Sequence, residues 1–446
     1  MTTDRTTPPP PRPIAPGADR DATEHAGPLL VHANFASDLA VGLRATAVLG
    51  QWAEQAPRTM WLLRPGDVLL TPVPLTGAFQ EYAARLLGLS AGDVTVVPVP
   101  PCPGVPFAEA VERAGLLPAV RELVAARPGI ALLPTALDES AAAFARDLGI
   151  PVSPYGQEEP TPEALKVTSQ LNTKSGFRAV AATLGLRVPE GRVCRHAELD
   201  ALVARMTGDH REVVVKPDRS AGGHGLTFVR AAGPGEAPGP LSLPPVDDTW
   251  VVEECVDVAH SLSTQAWTGP GGTTVLFSGE MRTRDGSFTG YQAPLRGPAA
   301  AARGELEEWA RLFGTHLGRH GYAGPFSLDA VVTRQGVLHA NESNVRRTAT
   351  TTPHAMVTRL ARVAGTKDPA WCMSRRRAPA PYTFEQAVGL LEESGLGWSA
   401  GRGEGAVLYA GAPTDGLTWR HVTIAASGPR LDVLEERLTR VLGPLV

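Results

Sequence analysis

Residues 28–155 alternate short apolar runs with amphipathic stretches. Strand patterns fall at 28–32 (P-L-L-V-H), 94–99 (V-T-V-V-P-V) and 129–133, with shorter apolar runs at 60–63 and 68–70. Helical spacing occupies 39–55, 79–89, 107–126 and 141–148. Such alternation predicts a small parallel α/β domain, because parallel strands need a crossover between them. Its first strand is not followed by G-x-G-x-x-G, so no dinucleotide is assigned to it. Its expected role is support plus part of a substrate wall.

The pattern changes from residue 161. Phe177, Val180, Ala181 and Leu184 fall at helical spacing after Asn172 or Thr173 as cap, and Gly185 ends the run. Lys174 lies in the first turn, where a cation opposes the helix dipole; it points to an anionic partner, although a solvated lysine is the plainer reading. Residues 212–229, E-V-V-V-K-P-D-R-S-A-G-G-H-G-L-T-F-V, predict a glycine-tipped β-hairpin. Gly222, Gly223 and Gly225 let backbone N–H groups approach an anion closely, with Lys216 as a fixed charge beside them. An ordinary hairpin with an exposed lysine carries the same string.

The run A-A-G-P-G-E-A-P-G-P-L-S-L-P-P at 231–245 predicts a flexible surface excursion, and 250–256 (W-V-V-E-E-C-V) a strand ending in two acids. Leu306, Trp309, Ala310, Phe313 and Leu317 form an apolar helical stripe that belongs to a core. A second hairpin is predicted at 326–333 and 337–344 around Arg334-Gln335-Gly336. Period-two geometry puts Glu342 and Asn344 on one face, and Asp329 on the partner strand can share it. Two carboxylates and an amide oxygen make a hard-oxygen site suited to Mg²⁺ shared with phosphates. Arg346 and Arg347 follow, placed for phosphate oxygens or for structural ion pairs. Arg375, Arg376 and Arg377 could steer an anionic substrate, although a solvated basic linker is the commoner reading, before a compact α-β-β-α unit: helix 384–394, strands 405–410 and 419–425, helix 431–442.

Composition narrows the chemistry. Of 42 Lys+Arg only four are lysines (Lys166, Lys174, Lys216, Lys367), so 42 − 4 = 38 are arginines. Surface charge is written with arginine, which makes a lysine stand out as a compact point charge suited to phosphate. A net charge of −4 leaves no basic footprint for nucleic acid. Four scattered cysteines without C-x-x-C read as reduced thiols of a cytoplasmic protein rather than a disulfide framework or zinc site. No apolar run is long enough to span a membrane, and the proline-rich residues 1–27 read as a disordered tail.

Taken in order, these stations resemble the ATP-grasp superfamily over about residues 161–352. The resemblance implies that Lys174 and Lys216 are nucleotide-binding lysines, that Gly222, Gly223 and Gly225 form the phosphate-covering loop, and that Glu253, Glu254, Cys255 and Val256 form the adenine connector. It makes Asp329, Glu342 and Asn344 the metal ligands and Arg346 the arginine that follows the E-x-N pair. It departs where a ribose-binding glutamate would stand, offering Asp257 or His260. The stretch N-E-S-N-V-R-R-T-A-T-T-T-P-H and the C-terminal unit are similar, more narrowly, to pheganomycin-type peptide ligases of actinobacteria.

The implied architecture is multidomain, α/β and α+β: a tail at 1–27, a Rossmann-like pre-ATP-grasp domain at 28–160, an ATP-grasp domain at 161–375 and a small domain at 376–446. A nucleotide-clamping subdomain is expected at about 190–256. The implied activity is an ADP-forming ligase that uses ATP and Mg²⁺ to join a small carboxylic acid to an amine or peptide through an acyl phosphate, in natural-product (antibiotic) biosynthesis. Lys216 and Arg346 would be catalytic, and Arg282, with Arg284 in S-G-E-M-R-T-R-D-G, would hold a substrate carboxylate near the acceptor pocket unless both merely flank a hairpin. An ATP-binding scaffold or sensor, or a grasp-fold kinase or carboxylase, are the alternatives. The two substrates are left open, as is the oligomeric state, a homodimer included.

Overall fold

In the computed structural model the described residues are 25–40, 50, 53–90, 92–100, 102–220, 222–223, 225–231, 248–284 and 287–446. The expected tail, helix 39–55 and excursion 231–245 lie wholly or largely outside them.

Strands β1 (Leu29–His32), β2 (Val68–Thr71), β3 (Thr95–Pro98) and β4 (Ala131–Pro134) form a parallel sheet in the order β3-β2-β1-β4. Helices α1 (Gly77–Leu87), α2 (Phe107–Arg113), α3 (Leu117–Ala125) and α4 (Glu139–Leu148) accompany it. The single helix expected over 107–126 is two, because Gly115 takes φ +70, a left-handed conformation that ends a helix. The run at 60–63 belongs to a 3₁₀ segment, Ala56–Leu62. Both faces of β1 are buried. Leu29 and Val31 enter one core, while Leu30 joins Val68, Phe107 and Phe144 in another, as period two requires of a covered parallel strand.

Helices α5 (Pro162–Leu171) and α6 (Lys174–Thr183) lead to a second sheet: β5 (Gly191–Arg195), β6 (Glu212–Pro217), β7 (Thr227–Arg230) and β8 (Thr249–Glu254), ordered β5-β8-β6-β7. Its apolar face closes over α7 (Leu199–Asp209) through Val213, Val215, Trp250, Leu202 and Met206. The hairpin expected at 212–229 forms as β6 against β7, Val213 opposite Val229.

The third sheet has eight antiparallel strands. They are β9 (Val258–Gly269), β10 (Gly272–Arg284), β11 (Ser287–Ala293), β12 (Gly324–Thr333), β13 (Leu338–Asn344), β14 (Ala370–Arg377), β15 (Gly405–Leu408) and β16 (Thr418–Ala425), ordered β13-β12-β9-β10-β11-β14-β16-β15. Helix α8 (Arg303–Arg319) packs Leu306, Phe313 and Leu317 against the β9–β12 half. Helices α9 (Thr351–Ala364), α10 (Phe384–Glu393) and α11 (Gly428–Leu442) enter the core that also receives Leu29, Trp61 and Phe79 of the first domain.

The arginine run 375–377 is not a linker. It ends β14, which pairs with both β11 and β16, so the division expected at 375/376 falls inside one strand. Arg376 is 1 % exposed and donates to the Glu435 carboxylate, Thr439 Oγ1 and the Gly443 carbonyl. A buried partner set of this kind outweighs the solvent preference of a guanidinium.

Candidate active site

The N-terminus of α6 is tied to the loop after β6. Thr173 caps the helix, its Oγ1 accepting from Gly176 N at 3.0 Å, an arrangement that satisfies one of the helix's free N–H groups. Lys174 N donates to Asp218 O (3.0 Å) and Ser175 N to Asp218 Oδ1 (2.7 Å). Gly176 permits the tight turn from α5 into α6, since a Cβ there would stand 2.2 Å from Gln170 O. Lys174 therefore reaches the strand that carries Lys216.

Asn172 has a different role from capping: its Oδ1 accepts from Val345 N and from Arg346 Nη1. The junction between α5 and α6 is thereby joined to the end of β13. Lys174 Nζ donates to Ser220 Oγ (2.9 Å) and Ser220 O (3.1 Å) and lies 3.5 Å from Glu342 Oε2. Burial pulls its pKa below the usual lysine value, Glu342 opposing and Lys216 reinforcing. Lys216 Nζ is 2.5 Å from Glu253 Oε2 and donates to Asn341 Oδ1 at 2.8 Å. Glu253 also accepts from Arg178. Burial would raise the Glu253 carboxyl, but these two cations hold it below its ordinary range.

Across the hairpin, Asp329 stands opposite Glu342 and Ser327 opposite Asn344. Unbroken alternation over this stretch puts the set on one face, and the register shift between Asp329 and Ala330 leaves Asn341 as the extra residue beside it. Asp329 accepts from Ser263 Oγ at 2.6 Å and from Asn344 Nδ2 at 3.1 Å. Burial first, then the like charge of Glu342, pushes the Asp329 carboxyl above its ordinary range. Asn344 spends its amide N–H on Ser327 and Asp329, leaving its carbonyl oxygen for a ligand. Among the described residues no group of three or more His, Cys, Asp or Glu could hold a metal. A cation here would rest on two carboxylates and an amide, the rest of its shell coming from a bound anion or water. The crowded Asp329–Glu342 pair fits such an ion, because positive charge relieves its repulsion.

One cavity of ≈ 760 Å³ receives these groups: Lys174, Lys216, Glu253–Val256, Asp329, Glu342, Asn344 and Arg346 all line it. Its size is typical of a ligand pocket, about 300–1,000 Å³. Gly222 and Gly223 also line it, at φ +65 and +83, and Gly225 takes φ +77 in the same loop. Gly222 O accepts from Phe288 N at 3.3 Å, so the glycine loop reaches across to β11. Arg346 is 8 % exposed, and burial brings its pKa down to about 10 despite Glu342 and Asp329.

Arg282 is not among the residues that line the cavity. It donates to Ser374 Oγ (3.0 Å), which does line the cavity, and to Gln292 Oε1 (3.2 Å), and a register shift between Arg282 and Thr283 interrupts the strand's alternation there. Arg284 is exposed beyond it. Neither ribose candidate lines the cavity: Asp257 is exposed and paired with Arg334 at 3.0 Å, and His260 Nδ1 is 2.7 Å from Glu280. The sequence reading missed Arg58, Arg420 and Tyr409, which do line it. No motif marks them; they come from the first domain and the C-terminal unit and meet only through folding.

The fold is an ATP-grasp fold preceded by a pre-ATP-grasp domain and followed by a small α/β unit. Residues 56–150 match the Pre ATP-grasp domain family. Among solved structures, the chain is similar to carboxyaminoimidazole ribonucleotide synthase from Aspergillus clavatus complexed with ATP (12% identity, TM-score 0.56, covering 93% of this chain and 98% of that one). It is also similar to N5-carboxyaminoimidazole ribonucleotide synthetase from Thermus thermophilus (16%, 0.54, 94% and 99%) and to N5-carboxyaminoimidazole synthetase from Staphylococcus aureus (11%, 0.53, 94% and 98%). A search of curated proteins found no match. No helix among the described residues is long and apolar enough to cross a membrane.

Proposed function

We propose that this chain is an ATP-dependent carboxylate–amine ligase. It activates an amino-acid-like acid as an acyl phosphate and passes the acyl group to the N-terminal amine of a peptide, releasing ADP and phosphate. The observation that carries this reading is the convergence of Lys174, Lys216, Glu342, Asp329 and Arg346 on one cavity, from four separate segments of the chain. The resemblance to pheganomycin-type ligases favours a peptide acceptor and a natural-product role. Solved structures of the same fold include one with ATP and one with ADP and 5-aminoimidazole ribonucleotide, so the fold accommodates a nucleotide beside a second small molecule.

The residues divide the work. Residues Glu253–Val256 offer backbone and carboxylate groups to a purine edge, and Lys174 and Lys216 supply fixed positive charge to the phosphates. Asp329, Glu342 and Asn344 would hold Mg²⁺, which would supply positive charge against the charge developing on the phosphates. Arg346 adds a cation that is already buried and held by Asn172, so little reorganisation is needed as charge develops. The glycine loop covers the cavity and excludes water, which would otherwise hydrolyse an acyl phosphate.

The test is product analysis of the full chain with Mg²⁺, ATP and paired sets of amino acids and short peptides. ADP and inorganic phosphate, released only when both an acid and an amine are present, are expected. AMP and pyrophosphate would overturn the acyl-phosphate route, and ADP release with bicarbonate alone would replace the peptide ligase by a carboxylase.

A further inference from the structure

Part of the cavity wall has chemistry that the nucleotide reading leaves unused. Arg375 on β14 and Arg420 on β16 are directly opposed in register, and both line the cavity together with Arg58 and Tyr409. Like charges directly opposite across antiparallel strands destabilise a sheet. Among the described residues, none of the three arginines is paired with a carboxylate, and Arg420 has no hydrogen-bond acceptor at all. Arg375 Nη2 donates to Phe288 O at 3.0 Å, and Arg58 Nη1 to Gln55 Oε1 at 2.8 Å.

Arg58 is 4 % exposed, lies over the Phe35 ring at 4.6 Å, and leaves its Nε without a partner. Burial, with Arg420 adding to it, brings Arg58 down to about 10. Arg375 is likewise lowered, by burial first and Arg420 second. Three guanidinium groups gathered around one phenol, with no counter-charge, describe a site lacking its anion.

The cluster is separate from the reacting end. Three strands, β9, β10 and β11, lie between β12, which carries Asp329, and β14. The first domain supplies Arg58 and the C-terminal unit supplies Arg420 and Tyr409, so the subsite exists only when these parts meet. Trp61 Nε1 donating to Tyr409 O at 2.8 Å fixes that meeting.

We propose that Arg58, Arg375, Arg420 and Tyr409 form an oxyanion subsite that holds a carboxylate or phosphate group of the second substrate, away from the bond being made. This rests on the ligase reading only for the name "second substrate"; the anion site itself does not depend on it. A guanidinium fork matches either oxyanion in two-point contact, and the Tyr409 hydroxyl adds a donor.

The test is isothermal titration of the full chain, with and without saturating Mg²⁺ and a non-hydrolysable ATP analogue, using inorganic phosphate, N-acetylglycine and N-acetylglycinamide as probes. The wild type is expected to bind one or both anions and not the neutral amide. Arg375→Gln/Arg420→Gln should bind the anion about ten- to a hundredfold more weakly, the equivalent of one or two charge-assisted hydrogen bonds, while its affinity for the analogue stays within about twofold, below the cost of losing one such bond. N-acetylglycine binding would identify a carboxylate source, such as a peptide terminus, and phosphate-only binding a phosphorylated substrate. Equal anion affinity in wild type and double variant, or no anion binding by the wild type, overturns the subsite. Failure of the analogue to bind overturns the nucleotide reading instead and leaves the anion comparison intact. Should the double variant not fold, Arg420→Gln alone carries the same comparison, because that side chain has no described partner to lose.

Discussion

Lys174 Nζ lies 3.5 Å from Glu342 Oε2, joining the first residue of α6 to the strand that carries the candidate metal ligands. Without an anion the two groups neutralise one another; with a triphosphate, Lys174 is free to turn to it while Glu342 turns to a cation. Lys174→Met should therefore raise the KM for ATP by about ten- to a hundredfold, the loss of one or two charge-assisted hydrogen bonds. Steady-state ADP release checks it, and an unchanged KM would remove Lys174 from the site.

Lys216→Ala should lower kcat/KM by about 10²–10³-fold, the usual cost of one donor to developing charge. Glu253 keeps Arg178 as a partner, so the variant should stay folded by circular dichroism. Near-wild-type turnover would contradict the assignment of the glycine loop and its lysine to phosphate.

Glu342→Gln should raise the Mg²⁺ concentration needed for half-maximal ADP release by about tenfold or more, on the scale seen when metal-site partners are removed. Asp329→Asn should do the same. A metal titration that superimposes on the wild type for both variants would leave the cation elsewhere.

Stability should fall in acid because of His32. Burial between Phe107 and Phe144, weakly opposed by Asn34, lowers this histidine from 6.5 to about 3. The folded state favours neutral imidazole, so the stabilisation is complete above about pH 6.5 and is lost as pH falls toward 3. Between pH 6.5 and 4.5 the loss from this group is about 2–3 kcal/mol. Denaturant melts of wild type and His32→Leu across that range should show the difference between them shifting by about 2–3 kcal/mol in the variant's favour as the pH falls; parallel curves would exclude His32.

The Arg376–Glu435–His421 cluster beneath β14 and β16 is a second acid-sensitive feature. Burial alone would raise Glu435, but His421 at 3.1 Å and Arg376 at 3.0 Å overcome it and hold the carboxyl far below its ordinary range. Its contribution is present above about pH 4.5 and disappears as the carboxylate is protonated. Arg376→Leu should cost about 3–5 kcal/mol, since it leaves a buried carboxylate short of a partner. A loss below about 1 kcal/mol in a chemical melt would place the cluster among ordinary surface pairs.

Local pattern determined a good deal. Alternation in residues 28–155, the glycine hairpin, the helical stripe from Leu306 to Leu317 and the acidic hairpin all depend on near-neighbour spacing, which a chain carries in its order. The same local logic made Thr173 or Asn172 a cap, and Thr173 is the one used. Lys174, Lys216, Asp329, Glu342 and Asn344 each sit in a short pattern whose chemistry can be argued residue by residue, and the structure brings all five to one cavity.

Other features were decided only by packing. The arginines at 375–377 have the composition of a linker, yet pairing with β11 and β16 makes them a strand, and alternation then sends Arg375 to the cavity and Arg376 to Glu435. Arg282 is held one layer back from the cavity by its bonds to Ser374 and Gln292, a partnership between strands that no local spacing records. Arg375 and Arg420 are brought together by strand register, and Arg58 joins them through a shared core, interactions between segments far apart in the chain. Spacing along a sequence records what one element does with its own face. Which faces meet is settled by the burial of apolar surface among all the elements at once.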